Sequence, residues 1–233
     1  MGNIISFISC NIELKNEMKD KCNKTIDRVK LSNKINNDKN SILIIANGPS
    51  AISEKYGELI DKFHTIGRIN NYVTDKFKDF IGVKTDIWFN GANQGLKKRN
   101  FFPPKTIVLI PAEIQYAKEQ RVLDRTPYRL GMQKSQYTLV PKEIIKEFED
   151  YSNIKRPTTG LFSILWSLHN YQKVVIHGFD FFIDSKSHYF DNKLISSLKN
   201  KGIIPKAKKH NMNKEKACID NSILDGKLKI LNG

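Results

Sequence analysis

Two histidines stand in short polar motifs, His188-Tyr189-Phe190-Asp191 and His210-x4-Glu215. A histidine near neutral pH can take a proton from a hydroxyl once its second ring nitrogen is held by a partner. Glu215 is a plausible partner for His210, although residues five apart diverge around a helix, and a purely local structural role is the other reading. Pro157-Thr158-Thr159-Gly160 is a turn and cap directly before an apolar run. Thr158 or Thr159 would cap that helix and leave free backbone N–H groups at its positive end, a seat for an anion. Asn47-Gly48-Pro49-Ser50 follows an apolar strand and offers a tight turn where backbone can approach a phosphate. Arg68 at a strand end could meet an anion, and Asn70 could read a base or ribose. Gly178 and Phe179 follow a second apolar strand, with Asp180 as a candidate loop orienter. These groups suit the binding of a phosphorylated ligand.

The elements that must position them are legible from periodicity. Leu161, Ile164, Leu165 and Leu168 recur at helical spacing, so the run after the Thr-Thr cap reads as a helix on a core. Ser41–Ala46 and Val174–Ile176 are apolar without alternation, as in parallel strands covered on both faces. Phe63–Arg68, Thr85–Phe89 and Thr106–Ile110 read as further strands. Helices are expected over Ala51–Lys62, Ala112–Val122, Glu143–Tyr151 and His210–Leu224, and a last strand over Leu228–Leu231. Residues 124–136 carry Arg125, Tyr128, Arg129 and Gly131 without periodicity and read as a long loop, either a lid or acceptor-binding segment or disorder. Strands alternating with helices predict an α/β fold: one Rossmann-like domain with a mostly parallel sheet flanked by helices. Residues 1–40 form a polar lead-in and 41–233 the folded unit.

Composition excludes several classes. At 233 residues and 39% hydrophobic, the chain can bury a full core. Its net charge of +15 calls for an anionic partner. The lysines are scattered rather than clustered, so dedicated nucleic-acid binding is not the favoured reading. Cys10, Cys22 and Cys218 form neither a disulfide framework nor a metal-ligand spacing, which suits a reducing compartment. No stretch reaches the roughly 20 apolar residues of a membrane span, and no secretory signal is visible. These features predict a cytoplasmic protein or one at the cytoplasmic face of a membrane. Met1-Gly2-Asn3-Ile4-Ile5-Ser6 fits the N-myristoylation pattern at Gly2, with Cys10 as a second acylation candidate and lysines following, so peripheral membrane contact is an expectation. His64, His169 and His177 lack supporting motifs and read as structural.

Four pieces in order resemble the motifs of eukaryotic-type sialyltransferases. Asn47-Gly48-Pro49-Ser50 through Arg68-Ile69-Asn70 is similar to their long motif, and Pro157-Thr158-Thr159-Gly160 through Gly178-Phe179 to the short one. His188-Tyr189-Phe190-Asp191 resembles the third motif and His210-x4-Glu215 the very short one. The resemblance implies an inverting glycosyltransferase that moves sialic acid from CMP-sialic acid to a hydroxyl of a glycan acceptor. It implies His210 as general base and His188 on the departing CMP phosphate. Asn47 and Asn70 would contact the nucleotide, and Gly48, Thr158, Thr159, Gly160, Gly178 and Phe179 would line the donor site. No cofactor is implied. The sequence contains no Asp-x-Asp, and a metal-independent reaction is expected. The developing phosphate charge then needs hydrogen-bond donors. The family's disulfide between the long and short motifs is missing, with Ser41 and Asn170 near those places, and so is its amino-terminal span. Alternatives are transfer of Kdo or another 2-keto acid sugar, a non-catalytic CMP-binding protein, and a basic protein that binds nucleic acid or a membrane surface.

Overall fold

Apolar, mostly β-branched runs build the sheet in this computed structural model, which describes residues 39–180, 188–190 and 211–231. The strands are β1 Ser41–Ile45, β2 Ile66–Ile69, β3 Ile87–Asn90, β4 Lys105–Val108, β5 Thr138–Leu139, β6 Lys173–His177 and β7 Leu228–Ile230. They form one sheet in the order β5-β4-β3-β2-β1-β6-β7, and every pairing is parallel. The α/β parallel architecture read from the apolar runs is the one observed.

β1 shows why its sequence does not alternate. Ile42 and Ile44 enter one core, while Leu43 and Ile45 enter another on the opposite face. Each such side chain contributes roughly 1.5–3 kcal/mol on burial. The helices are α1 Gly57–Asp61, α2 Lys78–Ile81, α3 Ala112–Ala117, α4 Glu119–Leu130, α5 Lys142–Ser152, α6 Thr159–Asn170 and α7 Met212–Leu224. Side chains of α5, α6 and α7 pack on the first face; those of α1 and α2 pack on the second. A third cluster joins Trp88 and Val108 to Val122 and Leu130 of α4.

Several expectations are corrected. No helix spans 51–62: a 3-10 turn at Pro49–Ile52 precedes the short α1, because Pro49 opens the turn and a polar Ser53-Glu54-Lys55 stretch follows it. The 112–122 helix is two helices that meet at Lys118. Most of the supposed 124–136 loop is α4, which buries Val122, Thr126 and Leu130 and stops at Gly131 in the left-handed conformation. Pro127 sits near its end, where the missing N–H costs one helical bond. β5 was not foreseen; it is two residues long. α7 begins at Met212 with Asn211 as its cap, and His210, the expected start, lies outside the described residues.

Strand order fixes where a ligand can enter. The chain winds from β1 to β5 in one direction and then returns to place β6 on the other side of β1. The crevice outside the carboxyl ends of β1 and β6 is therefore the topological switch point, where open parallel sheets bind ligands.

Candidate active site

The two turns at the switch point interlock. Past the strands, the N–H of Ala46 donates to His177 O at 2.8 Å and that of Gly48 to Gly178 O at 3.0 Å. A Cβ at Gly48 would stand 2.5 Å from the Asp180 carboxylate and 2.6 Å from Gly178 O, so no other residue fits there. Gly178 has φ +72, and a Cβ on it would meet the Ala51 side chain at 2.6 Å. Asp180 accepts from the Ser50 N–H at 2.9 Å and from the Ser50 hydroxyl. It thereby takes the N–H at the start of the 3-10 turn that a phosphate would otherwise use. The free helix end at these strand ends belongs to α6 instead.

Thr158 makes that end. Its Oγ1 accepts from the Leu161 N–H at 3.2 Å and donates to Glu215 Oε2 at 2.6 Å, while its own N–H donates to Glu215 Oε1 at 2.8 Å. Glu215 lies in the first turn of α7 and is 1% exposed. Both of its oxygens thus hold Thr158, which gives this carboxylate a structural task. Helical geometry leaves the N–H groups of Thr159 and Gly160 without intrahelical acceptors. A Cβ at Gly160 would touch the Phe179 ring at 3.4 Å, and one at Gly91 would lie 3.0 Å from Thr159 Oγ1. The α6 start is thus wedged between the turns after β3 and β6.

Asparagines line the ends of β1, β2 and β3. Asn47, 8% exposed, donates from Nδ2 to Ile69 O at 2.8 Å, while its buried Oδ1 has no hydrogen-bond partner among the described residues. Asn70 adopts φ +49, a left-handed conformation that asparagine tolerates, and its Oδ1 accepts from Gly91 N–H at 3.3 Å. Asn90, fully buried, accepts from the Ala92 N–H at 3.1 Å, and its Nδ2 has no partner among the described residues. A buried amide edge left unpaired costs about 1–3 kcal/mol, and a bound polar ligand can recover it. Sequence reasoning missed Asn90. Its signal was present: Asn90-Gly91 closes an apolar strand as Asn47-Gly48 does.

The structure therefore gathers Asn47, Gly48, Asn70, Thr158, Thr159, Gly160, Gly178 and Phe179 around the carboxyl ends of β1, β2, β3 and β6. His188 reaches the same edge. The Tyr189 N–H donates to Asn47 O at 3.1 Å, and the Tyr189 hydroxyl donates to Val73 O at 2.9 Å and accepts from Val73 N–H at 3.1 Å. Burial pushes the Tyr189 phenol up. The His188 ring stacks on Phe190 with centroids 5.2 Å apart. His210, Asp191, Gly2 and Cys10 lie outside the described residues.

Arg68 is corrected. It is wholly buried, with Nε donating to Lys84 O and Thr85 Oγ1 at 3.1 and 3.0 Å and Nη2 donating to Ile81 O at 2.6 Å. Desolvation lowers its pKa to about 10. Its Nε and Nη2 brace the segment after α2, while its buried Nη1 has no hydrogen-bond partner among the described residues. His177 is also structural, buried with a ring nitrogen 3.1 Å from Ala51 O. His169 packs edge-on against Phe148, and His64 lies 3.2 Å from its neighbour Thr65. Among the described residues, no group of three His, Cys, Asp or Glu side chains is placed to hold a metal ion. Among the same residues, no helix is long and apolar enough to cross a membrane.

Comparison with known proteins now bears on this site. The sequence profile of glycosyltransferase family 29 (sialyltransferase) matches residues 5–223. Beta-1,6-galactosyltransferase GALT29A of Arabidopsis thaliana is 36% identical over 53 residues, which span 23% of this chain and only 13% of that protein. A mammalian sialyltransferase superposes with a TM-score of 0.61 at 18% identity, covering 89% of this chain and 78% of that one. A mammalian sialyltransferase in complex with Gal-beta-1-3GalNAc-ortho-nitrophenol gives 0.60 at 19% identity, over 83% and 69% of the two chains. The sialyltransferase CstII from Campylobacter jejuni, in complex with CMP-3FNeuAc, gives 0.52 at 18% identity, over 82% and 81%. At such identities the structural likeness is one of fold. The profile, however, takes in nearly the whole sequence, and the chain belongs to glycosyltransferase family 29, the sialyltransferases.

Proposed function

We propose that this protein is an inverting glycosyltransferase that moves sialic acid from CMP-sialic acid to a glycan hydroxyl without a metal ion. The observation that carries the reading is the buried Asn47 Oδ1, unpaired among the described residues at the switch point, within the motif-bearing turns that the family profile also covers. In this reading Asn47, Gly48 and Asn70 meet the nucleotide, with Asn90 added to them. Thr158 shapes the α6 end, and Thr159 and Gly160 offer its N–H groups to the anionic part of the donor. Gly178 and Phe179 form the opposite wall. His188 holds the phosphate as it leaves, and His210 takes the acceptor proton. The attacking hydroxyl loses its proton to His210, its oxygen bonds to the anomeric carbon, and the bond to the CMP phosphate oxygen breaks with that oxygen keeping the electron pair.

Residues 1–40 are proposed as a lead-in to a catalytic unit spanning 41–233. Acylation at Gly2 and Cys10 and a place at the cytoplasmic face of a membrane belong to the same proposal. Release of CMP from CMP-sialic acid, from CMP-Kdo and from no other nucleotide sugar would identify the donor class. The expected result is CMP release from CMP-sialic acid that survives EDTA and falls by several orders of magnitude in His210→Ala. Turnover of a galactosyl nucleotide in its place would favour the second reading, galactosyl transfer, which the match to the Arabidopsis thaliana enzyme supports.

A further inference from the structure

The turn that carries Asn70 is clasped by the chain that leaves β3. Asn71 Nδ2 donates to Gly95 O at 2.7 Å, and its Oδ1 accepts from the Lys97 N–H at 2.8 Å. Two residues further on, the Arg99 guanidinium lies 3.6 Å from the Tyr72 ring centroid and 5.0 Å from that of Trp88. Its Nη2 donates to Tyr72 O at 3.1 Å and to Asn70 O at 3.4 Å. The Trp88 Nε1–H reaches the same Asn70 carbonyl at 2.8 Å.

Asn70 needs this hold. Its φ of +49 is a backbone conformation that side-chain-bearing residues rarely adopt. The Gly91 N–H fixes its side chain, while Trp88 and Arg99 fix its carbonyl. With the carbonyl released, the peptide after Asn70 can turn over, and the side-chain amide moves with it. Arginine is suited to this task in a way that lysine is not. A guanidinium is flat, so it can stack on a ring while its edge serves two carbonyls. Among the described residues no carboxylate pairs with Arg99, and its charge lies against two aromatic faces instead.

We propose that Arg99 is a positioning residue of the donor site, which holds Asn70 in its binding conformation and touches no ligand itself. The assignment rests on the reading of Asn70 as a nucleotide contact. CMP is titrated calorimetrically into the full chain and into Arg99→Ala, Arg99→Lys, Asn70→Ala and the double variant Arg99→Ala/Asn70→Ala, with the folded fraction of each set by circular dichroism. The Kd for CMP is expected to rise at least tenfold in Arg99→Ala and in Asn70→Ala, and Arg99→Lys should not restore it. The double variant should bind within twofold of Asn70→Ala alone, because without the Asn70 amide Arg99 has nothing to position. CMP affinity within twofold of the unaltered chain in Arg99→Ala, whatever its Tm, would reduce Arg99 to a purely structural residue and overturn the assignment. Full rescue by Arg99→Lys would overturn it too, since charge alone would then suffice. So would losses that multiply in the double variant, which would put Arg99 on the ligand itself, or an Asn70→Ala variant that binds as the unaltered chain does. No CMP binding by the unaltered chain would overturn the donor-site reading and the Arg99 role together, so the two failures are distinguishable.

Discussion

Glu215 accepts both the N–H and the hydroxyl of Thr158, at 2.8 and 2.6 Å, across 57 residues of sequence. One carboxylate thus fastens α7 to the helix end that the site depends on. Spacing within the last motif offered Glu215 as a helper of His210 or as a local structural residue; its bonds to Thr158 supply the structural role, and His210 lies outside the described residues.

Replacing Glu215 by Ala leaves the part-buried Thr158 N–H without its acceptor, which costs about 1–3 kcal/mol. Glu215→Ala is expected to lower the urea midpoint by that order and to weaken CMP binding at least tenfold. Glu215→Gln, which still accepts through its amide oxygen, should lose less of both. Equal binding by wild type and Glu215→Ala in calorimetry would show that the cap works without the carboxylate.

Arg68 separates a structural cation from a ligand-binding one. It serves two carbonyls and a hydroxyl from within the core. Arg68→Ala removes these bonds and opens a cavity, a loss on the order of 3 kcal/mol. CMP affinity of the folded fraction should stay within twofold. A tenfold loss of CMP affinity at unchanged stability would return Arg68 to the anion site.

Glu149 gives a pH dependence with a definite sign. Burial raises its pKa, outweighing the Ala112 N–H and nearby lysines that act the other way. The folded chain therefore keeps this proton at a pH where the unfolded chain has released it, and stability falls as pH rises through the folded-state pKa. Glu149→Gln retains an acceptor for the Ala112 N–H and carries no charge. Its Tm relative to wild type is expected to rise between pH 4 and pH 7 in a thermal melt series. A relative Tm that falls over that range would contradict the burial argument.

Local signals exposed most of the fold and half of the site's logic. Ser41–Ile45 and Val174–Ile176 announced themselves because strands covered on both faces need no polar alternation. The Thr158-Thr159 pair announced the α6 start because a capping side chain must directly precede the apolar run, and the structure picks Thr158. α4 stayed hidden, since Thr126 dilutes its buried stripe of Val122 and Leu130 and Pro127 reads as a breaker. The Asp180–Ser50 and Glu215–Thr158 contacts join residues 130 and 57 apart, which no spacing rule reaches. Arg68 looked like an anion ligand because its position at a strand end was visible and the chain that folds over it was not.

The most direct test of the central claim is calorimetric titration of CMP and CMP-sialic acid into the metal-free protein, beside Asn47→Ala. Micromolar-range binding of both, weakened at least tenfold in Asn47→Ala with little change in Tm, is the predicted result. No binding of either nucleotide, or binding indifferent to Asn47→Ala, would contradict a donor site at the ends of β1 and β6.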